Sequence, residues 1–270
     1  LHYEVNMAAV SHGVHLLSEK PLADSHRKTR KLLQAAEEQA SKIHMVHFEK
    51  RYSGPVLKAK QLIEEDKLGN ILHVEASYLQ SWLTTECGGD WKEDESLLWK
   101  LSGEKAHSGV IDSSGLDLLD TVTYLAGDVK KAHCLSRSFH KGVHGNKLKG
   151  VKLDSIDSAV IMAEMKSDAL SSLHISRVAT GEADNLFIAL YGDLGSLKIR
   201  VQSDGQVSLE ICKGNDRHNA QWKAVAIPEA SCSAQNFVQA IKNGALPESA
   251  PDMEHVAQYQ RIIEKSQETD

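Results

Sequence analysis

Residues 2–22 read HYEVNMAAVSHGVHLLSEKPL, and the order of apolar, small and turn-forming residues in this stretch decides the fold. From Tyr3 to Ser11, Val5, Ala8 and Ala9 share one face of a predicted helix, and His12-Gly13 stops it. The run Val14-His15-Leu16-Leu17 is short and almost continuously apolar, the pattern of a strand buried on both faces. Pro21 breaks that strand. Further out, Ser25 caps a second predicted helix that runs to Ala40 with Leu32, Leu33 and Ala36 on one side. Ile43 to Phe48 then reads as a second apolar strand. Helices alternating with short apolar strands imply a parallel sheet covered on both sides, because a parallel crossover needs a helix between its strands. Residues 1–50 therefore read as half of a doubly wound domain.

Beyond residue 50 the alternation runs on through one more helix and strand, and the pattern changes after Gln80. A helix over Val56–Asp66 ends at Leu68-Gly69-Asn70, and Ile71–Gln80 reads as a strand. Residues Leu83 to Gly109 set Trp91 and Trp99, with Trp82 just upstream, among glycines and charges, which predicts a long irregular loop over a cleft. Leu116–Leu125 is a helix closed by Gly127. After it come six β-type runs: Ala132–Phe139, Ser158–Met165, Leu170–Val178, Asn185–Tyr191, Ser196–Val201 and Val207–Ile211. Turn signals separate several of them, so residues 51–270 are expected to form an α/β domain with a large, mainly antiparallel open sheet. Two closing helices, Ala234–Lys242 and Met253–Ser266, are expected to pack back on the first domain.

Bulk properties narrow the partners. A net charge of −6 over 270 residues, with no long basic block, argues against a nucleic-acid surface and favours a small molecule. No apolar run approaches the roughly 18–20 residues needed to span a bilayer. The opening Leu1-His2-Tyr3-Glu4 lacks the pattern of a secretory signal, and the expected location is cytoplasmic. The four cysteines form no C-x-x-C pair. His44 and His47 would point to opposite faces of a strand, and His140 and His144 lie in a glycine-rich loop without carboxylates, so no metal site is expected.

His2, Ala8, Gly13 and Val14, followed by Glu19-Lys20-Pro21-Leu22, resemble a signature of the Gfo/Idh/MocA oxidoreductases. In that family the segment borders the cofactor site. The resemblance implies a partial Rossmann-type domain that binds NAD or NADP, with His2, Glu19, Lys20 and Pro21 against the cofactor and Lys20 also meeting the substrate hydroxyl. A lysine there can donate to an oxygen that gains negative charge during hydride transfer. Arg51, after the second strand, is implied near the nicotinamide. Tyr78-Leu79-Gln80-Ser81-Trp82-Leu83 and Trp99-Lys100-Leu101 resemble motifs of a subgroup, and Trp82 offers a flat face to a sugar ring. Ser176-Arg177 and Asn185 fall in the family's sheet, with Arg177 taken as a substrate residue. Tyr191-Gly192-Asp193-Leu194-Gly195-Ser196-Leu197 resembles its hairpin, whose glycines are expected to supply positive φ.

The stretch from Ser108 to Asp128 resembles the family's Asp-x-Gly-x-His-x-x-Asp and departs from it. Matching Gly115, Asp120 and Tyr124-Leu125-Ala126-Gly127 puts Ser113 at the family's Asp and Asp117 at its catalytic His. An imidazole titrates near neutral pH, whereas Asp117 can do that work only if its surroundings raise its pKa. Asp112 could supply a second carboxylate, and Asp120 is taken with Asp117 as a substrate residue. Asp117 and Asp120 also read simply as polar residues on the first turns of a helix. The resemblance implies an oxidoreductase acting on a hydroxyl or keto group of a sugar, inositol or related polyol, and a homo-oligomer. The alternative is a non-catalytic ligand-binding or regulatory relative that has lost the Asp and His. The phosphate-binding G-x-G-x-x-G does not occur in the sequence, which opens without Met in a helical pattern. The chain is therefore expected to begin inside the dinucleotide domain, and its choice of NAD or NADP is not legible.

Overall fold

The computed structural model describes residues 1–87, 89–247 and 249–267, with the side chains of 266 and 267 left aside. Gly88, inside the expected loop, lies outside them. The chain opens with α1 (His2–Ser11), β1 (Leu16–Ser18), α2 (His26–Glu37) and β2 (His44–Val46), and β1 pairs in parallel with β2. A 3₁₀ turn, Glu49–Tyr52, leads to α3 (Gly54–Glu64) and β3 (Ile71–Leu79). The expected strand-helix alternation is present, with each strand shorter than its apolar run.

Residues 83–109 are more ordered than their composition predicts. They hold a 3₁₀ helix, Glu95–Leu101, and the short α4, Gly103–Ala106. Trp91, Leu98 and Leu101 pack with Leu153 into a small separate core, so Trp91 is a core residue, while Trp99 is exposed. A π-helical turn, Ile111–Gly115, then runs straight into α5 (Leu116–Ala126). Leu116, Leu118, Leu119, Val122 and Leu125 share one half of α5, Asp117, Asp120 and Thr121 share the other, and all are buried. A helix buried on every side is a central one, and each of its apolar side chains contributes about 1.5–3 kcal/mol through burial.

The remaining strands are β4 (Val129–Arg137), β5 (Lys147–Leu148), β6 (Val151–Lys152), β7 (Ser158–Met165), β8 (Leu170–Ser176), β9 (Asn185–Gly192), β10 (Gly195–Val201), β11 (Val207–Lys213) and β12 (Lys223–Ala224). The chain closes with α6 (Ser233–Asn243) and α7 (Met253–Gln267). Eight strands form one sheet in the order β12-β11-β10-β9-β3-β8-β7-β4, antiparallel throughout except between β3 and β8. The β5–β6 hairpin and β12 carried too little apolar alternation to be read in the sequence. On β3, Val74, Ala76 and Tyr78 are buried while His73 and Glu75 are exposed, the period-two pattern of a sheet covered on one face, and Leu72, at a register shift, stands outside it. α3 and α5 pack on that face, and α7 packs on β4, α5 and α2. Thr29 on α2 donates to Gln260 Oε1, and Gln260 donates to Ala23 O at 2.9 Å, both in buried surroundings. The last helix thus docks on the first fifty residues.

The glycines of the 192–195 hairpin correct the sequence reading. Neither Gly192 nor Gly195 has positive φ. A Cβ on Gly192 would lie 2.2 Å from Leu68 O, and one on Gly195 2.6 Å from Lys67 O, so close backbone approach fixes both. No helix of the described residues is long and apolar enough to cross a membrane.

Candidate active site

The Glu19-Lys20-Pro21-Leu22 segment leaves the carboxyl end of β1, the edge where open α/β sheets receive ligands. Helix α1 holds it in place. Ser18 Oγ donates to Asn6 Oδ1 at 3.0 Å, Asn6 Nδ2 donates to Leu22 O at 3.2 Å, and His2 Nδ1 lies 2.7 Å from Pro21 O. The Lys20-Pro21 bond is cis.

From this turn Lys20 reaches the start of α5, where Nζ donates to Asp117 Oδ2 at 2.7 Å and to the Ser113 carbonyl at 2.8 Å. The two side chains are only 17% and 12% exposed, so water screens the pair weakly. Burial raises the Asp117 carboxyl above the ordinary carboxylate range, and the Lys20 charge offsets part of that rise. Asp112, five residues earlier, is pushed up to about 6 by burial and accepts the Ser108 N–H at 3.0 Å. The π-turn explains Ser113: its hydroxyl is spent on the Gly109 and Val110 carbonyls, and it reaches Lys20 through its backbone.

Lys20 and Asp112 line a cavity of about 780 Å³ that His2, Tyr3 and Pro21 wall on one side and Trp82, Trp99, Arg177 and Asp184 on another. His2, Lys20, Pro21, Ser113, Trp82 and Arg177 are thus brought to one cleft, with Asp117 bonded to Lys20 behind the lining. Glu19 is not brought there; it is exposed and faces His47 at 4.0 Å.

Three further expected site residues are corrected. Arg51 donates through Nε and Nη2 to both carboxylate oxygens of Asp120, at 2.9 and 2.6 Å, and through Nη1 to Ser249 O at 2.7 Å. Arg51 is 3% and Asp120 0% exposed, and Tyr259 OH closes on Asp120 Oδ1. The pair joins the segment after β2 to α5, and neither member lines the cleft. Arg177 does line it, but its donors go to Asp157, Ser155 and the Lys100 carbonyl. Its guanidinium lies 5.4 Å from the centre of the Trp82 ring, so it braces the wall.

Sequence reasoning missed Asp157, the fully buried carboxylate that binds Arg177, Lys141 and the Phe139 N–H. It also missed Asp184, which accepts from Gln80 Nε2 and from Tyr78 OH at 3.3 Å. Tyr78 and Gln80 are two apart at the end of a strand, which was a usable signal; Asp184, in a turn, offered none. Burial and the neighbouring Asp184 and Asp117 carboxylates push the Tyr78 phenol up. Among the described residues no three His, Cys, Asp or Glu side chains are placed to hold a metal.

A strand-end lysine bonded to a buried carboxylate, beside a broad open sheet, defines a two-part α/β protein with a cleft at the lysine. Residues 1–48 match the oxidoreductase family with an NAD-binding Rossmann fold, and residues 56–198 match the GFO/IDH/MocA C-terminal domain. The chain belongs to the Gfo/Idh/MocA oxidoreductase family. It is 27% identical over 212 residues to a levoglucosan dehydrogenase of Pseudarthrobacter phenanthrenivorans, covering 73% of this chain and 52% of that protein. It is 28% identical over 127 residues to the scyllo-inositol 2-dehydrogenase (NADP(+)) of Bacillus subtilis, covering 47% of this chain and 32% of that protein. The chain thus spans about half the length, or less, of the curated relatives it matches. A levoglucosan dehydrogenase solved with NADH and levoglucosan has the same fold, with a TM-score of 0.83 at 22% identity over 99% of this chain and 76% of that one.

Proposed function

We propose that the protein is an NAD(P)-dependent oxidoreductase acting on a hydroxyl or keto group of a sugar, inositol or related polyol. Residues 1–50 contribute to the dinucleotide domain and residues 51–270 form the substrate domain. The observation that carries this reading is the Lys20–Asp117 pair, 2.7 Å apart at the carboxyl edge of a parallel strand, with Lys20 lining a large cleft. The residues present fit a nicotinamide ribose at this edge. Two of the three Lys20 ammonium protons are committed to Ser113 O and Asp117, leaving one for a ribose or substrate oxygen, and His2, Tyr3 and Pro21 supply a wall beside it. When bound, the nicotinamide supplies the two-electron acceptor or donor.

The chain's own residues manage the proton and the oxygen. In the oxidative direction Lys20 donates a hydrogen bond to the substrate oxygen as it becomes carbonyl-like, and the hydroxyl proton passes to Asp117 through Lys20, which gives Asp117 one proton as it takes up another. Its raised pKa makes that exchange less costly than for an exposed aspartate. Trp82 and the 83–109 segment cover the cleft and limit water at the reacting carbon. The relatives named above, which act on levoglucosan and scyllo-inositol, support the substrate class. A homo-oligomer through the open face of the sheet belongs to the same proposal.

The experiment is reduction of NAD and NADP by a panel of sugars and inositols. Turnover of at least one is expected. No turnover of any, with sugar binding retained, would favour the non-catalytic ligand-binding reading.

A further inference from the structure

The β3–β9 ladder ends with Leu79 opposite Asn185, and the next positions, Gln80 and Asp184, continue the same register just beyond it. Their side chains meet: Gln80 Nε2 donates to Asp184 Oδ1, and Tyr78 OH, two residues back on β3, donates to Asp184 Oδ2 at 3.3 Å. The other end of the Gln80 amide accepts the Trp82 Nε1–H at 3.2 Å. One amide therefore fixes a carboxylate and an indole relative to each other. Gln80, Trp82 and Asp184 all line the main cleft.

An ionised carboxylate has about four acceptor sites, of which Gln80 and Tyr78 use two. Both of these partners are neutral, and among the described residues no cation stands within ion-pair distance of Asp184. What remains is a part-buried negative charge with acceptor capacity, held still beside a flat aromatic surface. Its complement is a ring that offers a C–H face to the indole and hydroxyl donors to the carboxylate. A phosphate or carboxylate group would bring acceptors and a second negative charge instead, leaving Asp184 without donors. Lys100 and Lys105 also line the cleft, but both are exposed, where water and salt screen them.

We infer that Asp184, positioned by Gln80 and Tyr78, is a hydroxyl-binding residue that selects a neutral cyclic polyol over the corresponding sugar phosphate or sugar acid. The inference rests on the proposed function for the location of the substrate. Its test reads binding without turnover, so that the two can fail separately. Thermal-shift titrations with myo-inositol, D-glucose and D-glucose 6-phosphate are made on the wild-type chain, on Asp184→Asn and on Gln80→Met. The wild type should bind at least one neutral probe more tightly than D-glucose 6-phosphate. Asp184→Asn should weaken that neutral probe at least tenfold, and Gln80→Met, which frees both Asp184 and Trp82, should weaken it in the same direction. If Asp184→Asn does not fold, Gln80→Met alone decides. The inference is overturned if neither variant changes neutral-probe affinity by more than twofold, if the wild type prefers the phosphate, or if no neutral probe binds. A wild-type protein that binds myo-inositol as described yet reduces no nicotinamide would overturn the oxidoreductase reading and leave this one standing.

Discussion

Asp112 makes stability depend on pH in a direction its surroundings dictate. Its carboxyl titrates near 3.8 when exposed and is pushed up to about 6 by burial in the folded chain. The folded state therefore binds that proton more tightly than the unfolded state, and the stabilisation is complete below the unfolded value and lost as pH rises through about 6. At neutral pH the chain carries a buried charge that, among the described residues, the Ser108 N–H and the more distant Lys20 charge offset only in part. Asp112→Asn keeps an acceptor for that N–H and removes the charge. It should raise unfolding free energy by about 1–2 kcal/mol at about pH 7.5 and change it little at about pH 4, allowing for the partial exposure of the group. Urea unfolding at the two pH values measures it, and equal effects at both would show that burial does not perturb this group. At the same scale the sequence singled out Lys20 and Asp117 through the family resemblance of the segments that carry them, one at a strand end and one at a helix start. It was uninformative about Ser113, whose hydroxyl is consumed by a π-turn that no side-chain pattern announces.

The tie between the segment after β2 and α5 is the Arg51–Asp120 pair. Removing one partner of a buried ion pair strands the other charge, at a cost of about 3–5 kcal/mol. Arg51→Met should lower stability by that amount, and Arg51→Met combined with Asp120→Leu should recover a large part of it. An Arg51→Met variant of unchanged stability but raised cofactor KM would instead return Arg51 to the cofactor. Elsewhere the elements that the residues announced were those with a strong period. α5 buries its apolar positions, and β3 buries Val74, Ala76 and Tyr78 but not Leu72. Segment 83–109 did not announce itself, since its order comes from contacts of Trp91, Leu98 and Leu101 with Leu153, about fifty residues or more away. The 192–195 hairpin was placed correctly for an incorrect reason. Gly192→Ala should destabilise the chain although its φ suits alanine, because the new Cβ would meet Leu68 O at 2.2 Å. A melting temperature within a degree or so of wild type would show that the strand can move aside.

At the scale of the molecule, one face of the eight-stranded sheet carries α3 and α5, and the other exposes apolar side chains. Leu135, Met162 and Leu170 are 70%, 62% and 61% exposed on the neighbouring strands β4, β7 and β8. A symmetric copy of the same face is the usual cover for such a surface. Light scattering should give an oligomer at micromolar concentration, and Leu135→Lys with Met162→Lys should shift it to monomer. A monomeric wild type would remove this part of the proposal. The two-part architecture was legible because helix-strand alternation in the first 80 residues gives way to turn-separated strands from about residue 130. The cleft between the parts was legible only at the Lys20 edge, since Asp184 and Asp157 act through partners distant in sequence. The central claim is that Lys20 and Asp117 together handle the reacting oxygen and its proton. The most direct test is kcat of Lys20→Met and Asp117→Asn on the best substrate at saturating concentration, with folding verified by circular dichroism. The account predicts that each variant loses about 100-fold or more, about 3 kcal/mol of transition-state stabilisation, and that added substrate does not restore it. Near-wild-type kcat in both folded variants would contradict it.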